Sequence, residues 1–586
     1  MNENNLTWDL SKLFASDQEY DHEIKNIDTL LEKASKYKTS TFDANTLFEV
    51  LNLKSQVKEL ASNALIYASL KYYEDVESSS AIKMKKKAEE MMNTVDTMLA
   101  FVDAKVVELG KDKINNYLTI NKELNVYKHH LHNIFRLRSH IMDDQVNLQI
   151  KQLKDEISTA ITNYHDLRKD LDLGIIMVNE DKVRLTPANS REYLSSTDRE
   201  IRKQAFLSIN NAYKGEQNNF ARLLNKIYQN RVKISELEAY SSVREQALFT
   251  ENIDPTIVSN LINVVPNHLD SFQKYLELKA TALGIKNPHL YDYNVGFSNV
   301  FKKYQINDAK DIIRKAFMPL GEEYVKMIDS FFDNNHIDAK LDRKKHQTMI
   351  FCWSVYVFIN YKETYFDLKS LAHELGHVLN HYLSKEVQPF IYDDSTVFIG
   401  EIPALIHELL LNRYLSEHAQ TDVEQLFYLS KNIENYFTKV YEQTMCTELE
   451  DILYTHAQNN TELTADLIES EYLKLLKKYY GKNTTYDDCA GAGWTRIDKL
   501  FRWCFYSYKY ATGLIAASAI INKLIDEKSL PLKKYFEFLA AGSNDYSLEL
   551  LKKLGIDMLD PDLMSDSFAI LENDLEKITS ILQKER

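Results

Sequence analysis

Apolar residues recur at helical spacing along most of this chain. One stripe, spaced by four and three positions as one face of an α-helix requires, consists of Met84, Ala88, Met91, Val95, Met98 and Val102. Residues that break helices are scarce, since the 586 residues include only 14 glycines and 9 prolines. The pattern predicts long helices, and the methionine stripe is typical of core packing.

Two segments depart from the helical pattern. Residues 174–190 (GIIMVNEDKVRLTPANS) are rich in β-branched side chains and carry the first proline. They predict an extended connection that ends an N-terminal helical lobe, residues 1–190, and precedes a second domain, residues 191–586. Residues 348–361 (TMIFCWSVYVFINY) predict one or two strands. From about Glu401 the pattern returns to helical, so the predicted fold class is mainly α with a small β-sheet.

Composition narrows the range of partners and the compartment. The net charge of −15 disfavours a surface for nucleic acid or anionic membrane. No apolar run is long enough to predict a membrane span, and the opening MNENNLTWDL lacks the features of a secretory signal. The four cysteines show no CxxC spacing, which suits a reducing compartment. We therefore expect a cytoplasmic protein.

The segment SLAHELGHVLNHYLSKE, residues 370–386, contains the pattern HExxH. Its apolar residues fall at helical spacing, so His373 and His377 lie one turn apart on one side of a helix and are able to bind one cation. Glu374 then has the position of a general base that takes a proton from an activated water. The pattern is short, and a helix with two incidental histidines is the alternative interpretation.

A catalytic zinc needs a third protein ligand. Leu383 occupies the position where a metzincin has its third histidine, and His381 lies too far along the helix. A better source is FIGEIPALIHELLLNRYL, residues 398–415, where Glu401 completes a His–His–Glu site. Glu408, two turns later, is able to hydrogen-bond a ligand histidine. Carboxylates near a helix start also stabilise the helix dipole, which remains the alternative.

Hydrolysis of a peptide bond also needs a donor for the developing oxyanion. The segment RWCFYSYKYATGLIAA, residues 502–517, offers Tyr506, Tyr508 and Tyr510. If the segment is helical, Tyr506 and Tyr510 share a face. The chain has 36 tyrosines, so aromatic packing is the alternative interpretation.

A second histidine cluster competes for a metal role. It lies in YKHHLHNIFRLRSH and consists of His129, His130, His132 and His140. It contains no carboxylate or cysteine, and two arginines stand among the histidines. A metal site is therefore not favoured here.

Together these motifs resemble oligoendopeptidase F, of the zinc metallopeptidase family that includes thimet oligopeptidase. The resemblance runs over most of the chain. The segments that carry it are WDLSKLFASDQEY, YKHHLHNIFRLRSH, RVKISELEAYSSVREQALF, INYKETYFDLKSLAHELGH, GEIPALIHE and FYSYKYATG. It implies a nearly all-helical fold in which two lobes flank a deep channel, with zinc on its floor and a small β-sheet nearby. It also implies that short unstructured peptides are the substrates.

The resemblance assigns roles to individual residues. His373, His377 and Glu401 take the ligand positions, Glu374 that of the general base, and Glu408 that of the carboxylate behind a ligand. One departure stands out: family members carry a histidine in a stretch such as RIPHFY, whereas this chain reads RIDKLFRWCFY over residues 496–506, with Lys499 or Leu500 at that place.

We therefore predict a zinc-dependent endopeptidase with one zinc ion per chain. In the predicted reaction a zinc-bound water attacks the scissile carbonyl, Glu374 shuttles the proton, and zinc with one or more of the three tyrosines holds the oxyanion. Two alternatives remain open: a peptidase restricted to one leader or signalling peptide, and a catalytically weak peptide-binding relative. Short peptides are the expected partners, without nucleic acid or membrane. The oligomeric state is not predicted.

Overall fold

The computed structural model describes residues 6–138, 140, 142, 144–296, 302–347 and 349–584. Within these ranges the chain is mainly α-helical with five short strands, which confirms the predicted fold class. Two predictions reach outside the described residues: the opening segment includes residues 1–5, and the predicted strand segment begins at Thr348. The substrate channel implied by the resemblance stays a prediction. Among the described helices, none is both long and apolar enough to cross a membrane.

The helices are numbered in chain order, with 3₁₀ or π turns between several of them. They are α1 (Asp17–Ser35), α2 (Ala44–Glu74), α3 (Ser79–Leu109), α4 (Lys111–Ile120), α5 (Lys128–Arg138), α6 (Asp144–Asp170), α7 (Ser190–Leu194), α8 (Arg199–Gly215), α9 (Gln217–Leu237), α10 (Val243–Phe249), α11 (Thr256–Val264), α12 (Leu269–Ala282), α13 (Ile306–Phe317), α14 (Glu322–Asp333), α15 (Tyr365–Val387), α16 (Val397–Gly400), α17 (Ile402–Glu417), α18 (Asp422–Tyr436), α19 (Glu442–Gln458), α20 (Ala465–Tyr480), α21 (Asp498–Arg502), α22 (Tyr508–Ile521), α23 (Leu532–Leu539), α24 (Ser547–Lys553), α25 (Pro561–Asp566) and α26 (Ala569–Lys584).

The chain forms two compact units, each built from three separate segments. The first unit comprises Met1–Ser139, Lys302–Leu411 and Glu527–Leu554. The second unit comprises His140–Phe301, Asn412–Asp526 and Gly555–Arg586. The predicted division into residues 1–190 and 191–586 stays a prediction about folding domains. The compact units divide the chain elsewhere, because helices distant in sequence pack together.

The methionine stripe of α3 lies on the core of the first unit. Ala88, Val95 and Val102 are buried, and the three methionines pack against buried residues. The same core includes α1, α2 and the aromatic side chains of a small sheet, with Trp8 packed 5.6 Å from Phe358 between ring centroids. The stripe therefore serves packing, as its spacing predicts.

The predicted extended connection is a β-hairpin of the second unit. Strands β1 (Ile175–Val178) and β2 (Asp181–Arg184) pair antiparallel. The two residues between them, Asn179 and Glu180, have φ of +48° and +73°. A two-residue turn with positive φ at both positions matches the right-handed twist of the strands, so the connection closes as a tight hairpin.

The predicted strand segment forms part of a three-stranded sheet in the first unit. Strand β5 (Tyr356–Phe358) pairs parallel with β3 (Ile337–Asp338) and antiparallel with β4 (Phe351–Trp353). The sheet order is β3–β5–β4, so β4 is an edge strand. Helix α15, which carries the HExxH pattern, begins seven residues after β5 and follows the sheet directly.

Candidate metal centre

Helix α15 begins at a reciprocal cap and buries one apolar side. The side chain of Thr364 accepts from the backbone N–H of Asp367, and the Asp367 carboxylate accepts from the Thr364 N–H. Six apolar side chains are fully buried along the helix: Leu368, Leu371, Ala372, Leu375, Val378 and Leu379. This packing fixes the rotation of α15 and keeps His373 and His377 together on its other side.

Glu401 lies at a break between two helices. It closes the short helix α16 and precedes the first residue of α17, and Pro403 stands where a helix tolerates a missing N–H. The Glu401 side chain is 41% exposed. From this position just before α17, the Glu401 carboxylate lies within 4 Å of both histidines of α15.

The four side-chain atoms that could bind a cation form one tight group. The Nε2 atoms of His373 and His377 are 3.2 Å apart. Glu401 Oε2 lies 3.6 Å from His373 Nε2, and Glu401 Oε1 lies 3.9 Å from His377 Nε2. Ligand atoms at ordinary zinc distances in a tetrahedron are about 3.3 Å apart. The three residues therefore fit one tetrahedral metal ion, and they are the one such group found within the described ranges.

The His373 ring is hydrogen-bonded on its far side by a buried carboxylate. Its Nδ1–H donates to Glu408 Oε1 at 2.8 Å, and the Glu408 side chain is only 3% exposed. This hydrogen bond fixes the tautomer that leaves Nε2 available to a metal. Glu408 Oε2 in turn lies 3.1 Å from the ammonium of Lys369, which stands one turn before His373 on α15.

Glu374 lies next to the first histidine of the candidate metal group. It is buried, and the nearby backbone N–H of Cys352 in the edge strand β4 favours the charged form of its carboxyl, which lowers the pKa. Burial raises the pKa of Glu374 to about 7; His373 opposes the rise and the nearby Glu401 carboxylate adds to it. A carboxyl with a pKa near 7 both takes and releases a proton at neutral pH.

Two further contacts lock α17 against α15. A Cβ atom added at Gly376 would lie 2.5 Å from the Cα of Ala404, so the glycine lets the helix backbones touch. The fully buried His407 donates from Nδ1 to the Ala372 carbonyl at 2.8 Å and accepts the Tyr324 hydroxyl at Nε2, 2.6 Å away. Burial lowers the pKa of His407 to about 3, so the ring stays neutral as this geometry requires.

Sequence reasoning did not single out Lys369, Gly376 or His407. The signals were present: a glycine inside HELGH, and a histidine and a lysine on otherwise apolar helix faces. Their meaning depends on where α17 crosses α15, which periodicity along one helix does not show.

Comparison with known proteins identifies the family of the chain. The sequence model of the family described as "Peptidase family M3" matches residues 192–570 of this chain. The chain belongs to peptidase family M3. It is 27% identical to "Oligopeptidase PepF" of Bacillus subtilis over 99% of this chain and 87% of that protein. Membership confirms the predicted metalloendopeptidase class and the relation to oligoendopeptidase F.

Solved structures show the same fold. A crystal structure of a Chlamydophila abortus protein assigned as a peptidase superposes with a TM-score of 0.92 at 25% identity, covering 99% of each chain. Oligoendopeptidase F from Enterococcus faecium superposes with a TM-score of 0.73 at 24% identity, covering 97% of this chain and 99% of that one.

Four other histidines from the sequence motifs of this M3 peptidase lie near other polar groups. His381 pairs with Asp394 at 3.6 Å. In the second histidine cluster, His130 Nε2 lies 3.7 Å from Asp103 and His132 Nε2 lies 3.3 Å from the side-chain oxygen of Asn115. His140 Nδ1 lies 2.7 Å from the Glu238 carbonyl oxygen. Within the described residues these histidines form no group with three metal-binding side chains.

The tyrosine segment is helical only from Tyr508 onward. Tyr506 precedes α22, next to Phe505, whose φ of +44° breaks the helix. Nevertheless the rings of Tyr506 and Tyr510 meet edge to face, with centroids 5.6 Å apart. Tyr508 points into the core and is 1% exposed. Tyr506 and Tyr510 therefore form a contacting pair, although Tyr506 lies outside the helix.

Two buried polar side chains hold the backbone before these tyrosines. The Arg231 guanidinium donates to the carbonyls of Phe501, Arg502 and Trp503 at 3.1, 3.1 and 2.7 Å. On the other side, the Glu450 carboxylate accepts the Phe505 N–H at 2.8 Å. Phe505 is thereby kept in its left-handed conformation.

Lys499, one of the two residues at the place of the family histidine, lies beside the tyrosine pair. The Lys499 ammonium lies 3.8 Å from the centroid of the Tyr510 ring and donates to Gln443 Oε1 at 2.7 Å. Leu500, the other residue aligned with the family histidine, is buried. Lys499 therefore puts a positive charge against one tyrosine of the pair.

Proposed function

We propose that this M3 peptidase uses zinc to cleave short, unstructured peptides internally. The observation that carries the proposal is the group of His373, His377 and Glu401, whose ligand atoms are spaced as the corners of a zinc tetrahedron. Two imidazoles and one carboxylate suit several first-row metals, and they are a common ligand set of catalytic zinc. Three protein ligands would leave one position on a bound zinc ion for water or substrate.

Glu374 is the proposed general base. A bound zinc ion would act as a Lewis acid and lower the pKa of water. Glu374 stands next to the ligand His373 with a pKa of about 7, raised by burial. It takes a proton from the attacking water and delivers it to the leaving amine. Glu408 keeps the His373 ring oriented during this exchange.

A tyrosine hydroxyl is the proposed donor to the oxyanion, in addition to the metal. Of the three candidates from the sequence, Tyr508 is buried, and a substrate does not reach a hydroxyl in the core. Tyr506 and Tyr510 are only partly buried. We therefore favour Tyr506 or Tyr510 in this role, and the assignment stays a prediction.

A cytoplasmic location is part of the proposal. The cysteines Cys352, Cys446, Cys489 and Cys504 are all free thiols in the structure. Unpaired cysteines suit a reducing compartment. The expected substrates there are the short peptides that the name of the Bacillus subtilis relative, an oligopeptidase, suggests.

The test is mass spectrometry of a mixture of unrelated peptides incubated with the protein. Internal cleavage of many peptides, abolished by a chelator and restored by zinc, supports the proposal. Cleavage of a single sequence class would support the narrow alternative, which the placement of Lys499 beside Tyr510 motivates. Stoichiometric zinc without any cleavage would contradict the proposal in favour of a peptide-binding protein.

A further inference from the structure

Lys369 contacts Glu408 at the candidate metal centre and is not one of the proposed metal ligands. The ammonium of Lys369 lies 3.1 Å from Glu408 Oε2, while the other oxygen of the same carboxylate receives the His373 Nδ1–H at 2.8 Å. Lys369 thus stands in a row of contacts that leads through Glu408 to a proposed ligand. Lys369 lies outside the HExxH pattern that predicts the two histidine ligands.

The helix geometry explains how the three side chains meet. Lys369 and His373 are four residues apart on α15, so their side chains project from one face, one turn after the other. The backbone of α17 comes close enough for contact at Gly376 and Ala404. The Glu408 carboxylate, on α17, therefore reaches both side chains, one with each oxygen.

Because the Glu408 carboxylate is buried, the positive charge of the Lys369 ammonium is important for stabilising it. The Glu408 side chain is 3% exposed and that of Lys369 24% exposed, so water contributes little to solvating this pair. A buried carboxylate is costly unless it is hydrogen-bonded and paired with a cation. The imidazole of His373 supplies a hydrogen bond to Oε1, and Lys369 supplies the positive charge to Oε2.

We propose that Lys369 is a positioning residue of the metal centre, which holds Glu408, and through it His373, in the orientation that binds the ion. Without the ammonium, the carboxylate loses its charged anchor and swings away from His373. The imidazole then loses the support that fixes its ring and tautomer. The inference rests on the proposed function only for the choice of zinc.

The test compares zinc affinity in three full-length variants. Lys369→Met keeps the aliphatic stem and removes the charge, Lys369→Arg keeps the charge, and Lys385→Met removes an exposed lysine from the last turn of the same helix. Zinc dissociation constants come from competition with a chromogenic chelator. Loss of a supporting contact weakens zinc binding by 10- to 100-fold, so we expect about tenfold for Lys369→Met. Lys369→Arg should stay within about threefold of the wild type, since arginine pairs well with carboxylates.

Two further readouts separate positioning from general stability. The visible spectrum of the Co²⁺-loaded protein should change in Lys369→Met and not in Lys385→Met, because it reports ligand geometry. In a Glu408→Gln background, Lys369→Met should add less than about a twofold loss, because the contact through which it acts is already gone. If Lys369→Met melts below the assay temperature, Lys369→Gln takes its place in every comparison.

An unchanged zinc affinity and Co²⁺ spectrum in Lys369→Met would overturn the inference, as would an equal loss in Lys385→Met or a full tenfold loss on top of Glu408→Gln. These measurements need no peptide. A wild-type protein that binds zinc but cleaves nothing would refute the proposed function and still leave the role of Lys369 decided.

Discussion

Gly376 of α15 and Ala404 of α17 stand in backbone contact, since a Cβ at position 376 would lie 2.5 Å from the Ala404 Cα. This contact sets the spacing between the helix that carries both histidines and the helix that follows Glu401 and carries Glu408. The glycine of HELGH is therefore required by the approach of α17.

Gly376→Ala should push the two helices apart and weaken the metal centre. Overpacking of a core costs about 1–3 kcal/mol, and a strain of about 1.4 kcal/mol in the metal-bound form lowers zinc affinity about tenfold. Chelator competition measures the loss. Gly215→Ala is the matched control, because an added Cβ there meets no atom within 4 Å. Equal zinc affinity in both variants would show that the contact is not needed.

The proposed ligand set predicts which variants of the protein retain zinc. His373→Ala, His377→Ala and Glu401→Ala should each lower the zinc content far below one ion per chain, because each removes one of three protein ligands. His381→Ala should keep full zinc, since His381 pairs with Asp394 instead. Metal analysis after gel filtration checks this. Full zinc in Glu401→Ala would remove Glu401 from the site.

One of the two contacting tyrosines should matter for turnover and the buried tyrosine should not. Removing one oxyanion donor costs about 10²–10³-fold in kcat, so Tyr506→Phe or Tyr510→Phe should show a loss of this size with KM little changed. Tyr508→Phe is the control from the same segment, because Tyr508 is in the core. Steady-state kinetics on one cleaved peptide measure kcat and KM for each of these variants. A loss confined to Tyr508→Phe would contradict this assignment.

The buried His407 should make the protein less stable in acid. Its pKa is about 3 in the folded protein, lowered by burial, and about 6.5 when unfolded. Between these values only the unfolded chain binds the proton, so stability falls as pH falls below about 6.5. From pH 7.5 to 5.0 the loss of stability reaches about 2 kcal/mol.

His407→Asn removes this titrating group and keeps a side-chain donor for the Ala372 carbonyl. The variant should be less stable than the wild type at pH 7.5, and the gap should narrow by about 1–2 kcal/mol at pH 5.0. Thermal melts of both proteins at the two pH values measure the gap. A gap that is the same at both would mean that His407 does not titrate as described.

Sequence periodicity predicts what is local along one helix. The spacing of His373 and His377 predicts their common face, and the order of motifs predicts the pairing with Glu401. Contacts between helices lie beyond this reasoning: Gly376 and His407 act where α17 crosses α15. The three-segment composition of each compact unit has the same origin, because it depends on packing between distant parts of the chain.

The tyrosine segment shows a different limit. A helical reading places Tyr506 and Tyr510 on one face, and the rings do meet. They meet for another reason, because Phe505 leaves the helix and Arg231 and Glu450 hold the backbone on either side. Such tertiary support for an irregular backbone leaves no mark in the local pattern of residues.

The central claim is that Glu374 activates water at a zinc centre, and one comparison tests it directly. Wild type and Glu374→Gln are each analysed for zinc content and for the rate at which they cleave one peptide. We predict about one zinc per chain in both proteins and a rate about 10³-fold lower in the variant, within the range for loss of a general base. Cleavage by Glu374→Gln at the wild-type rate, with zinc bound, would contradict the account.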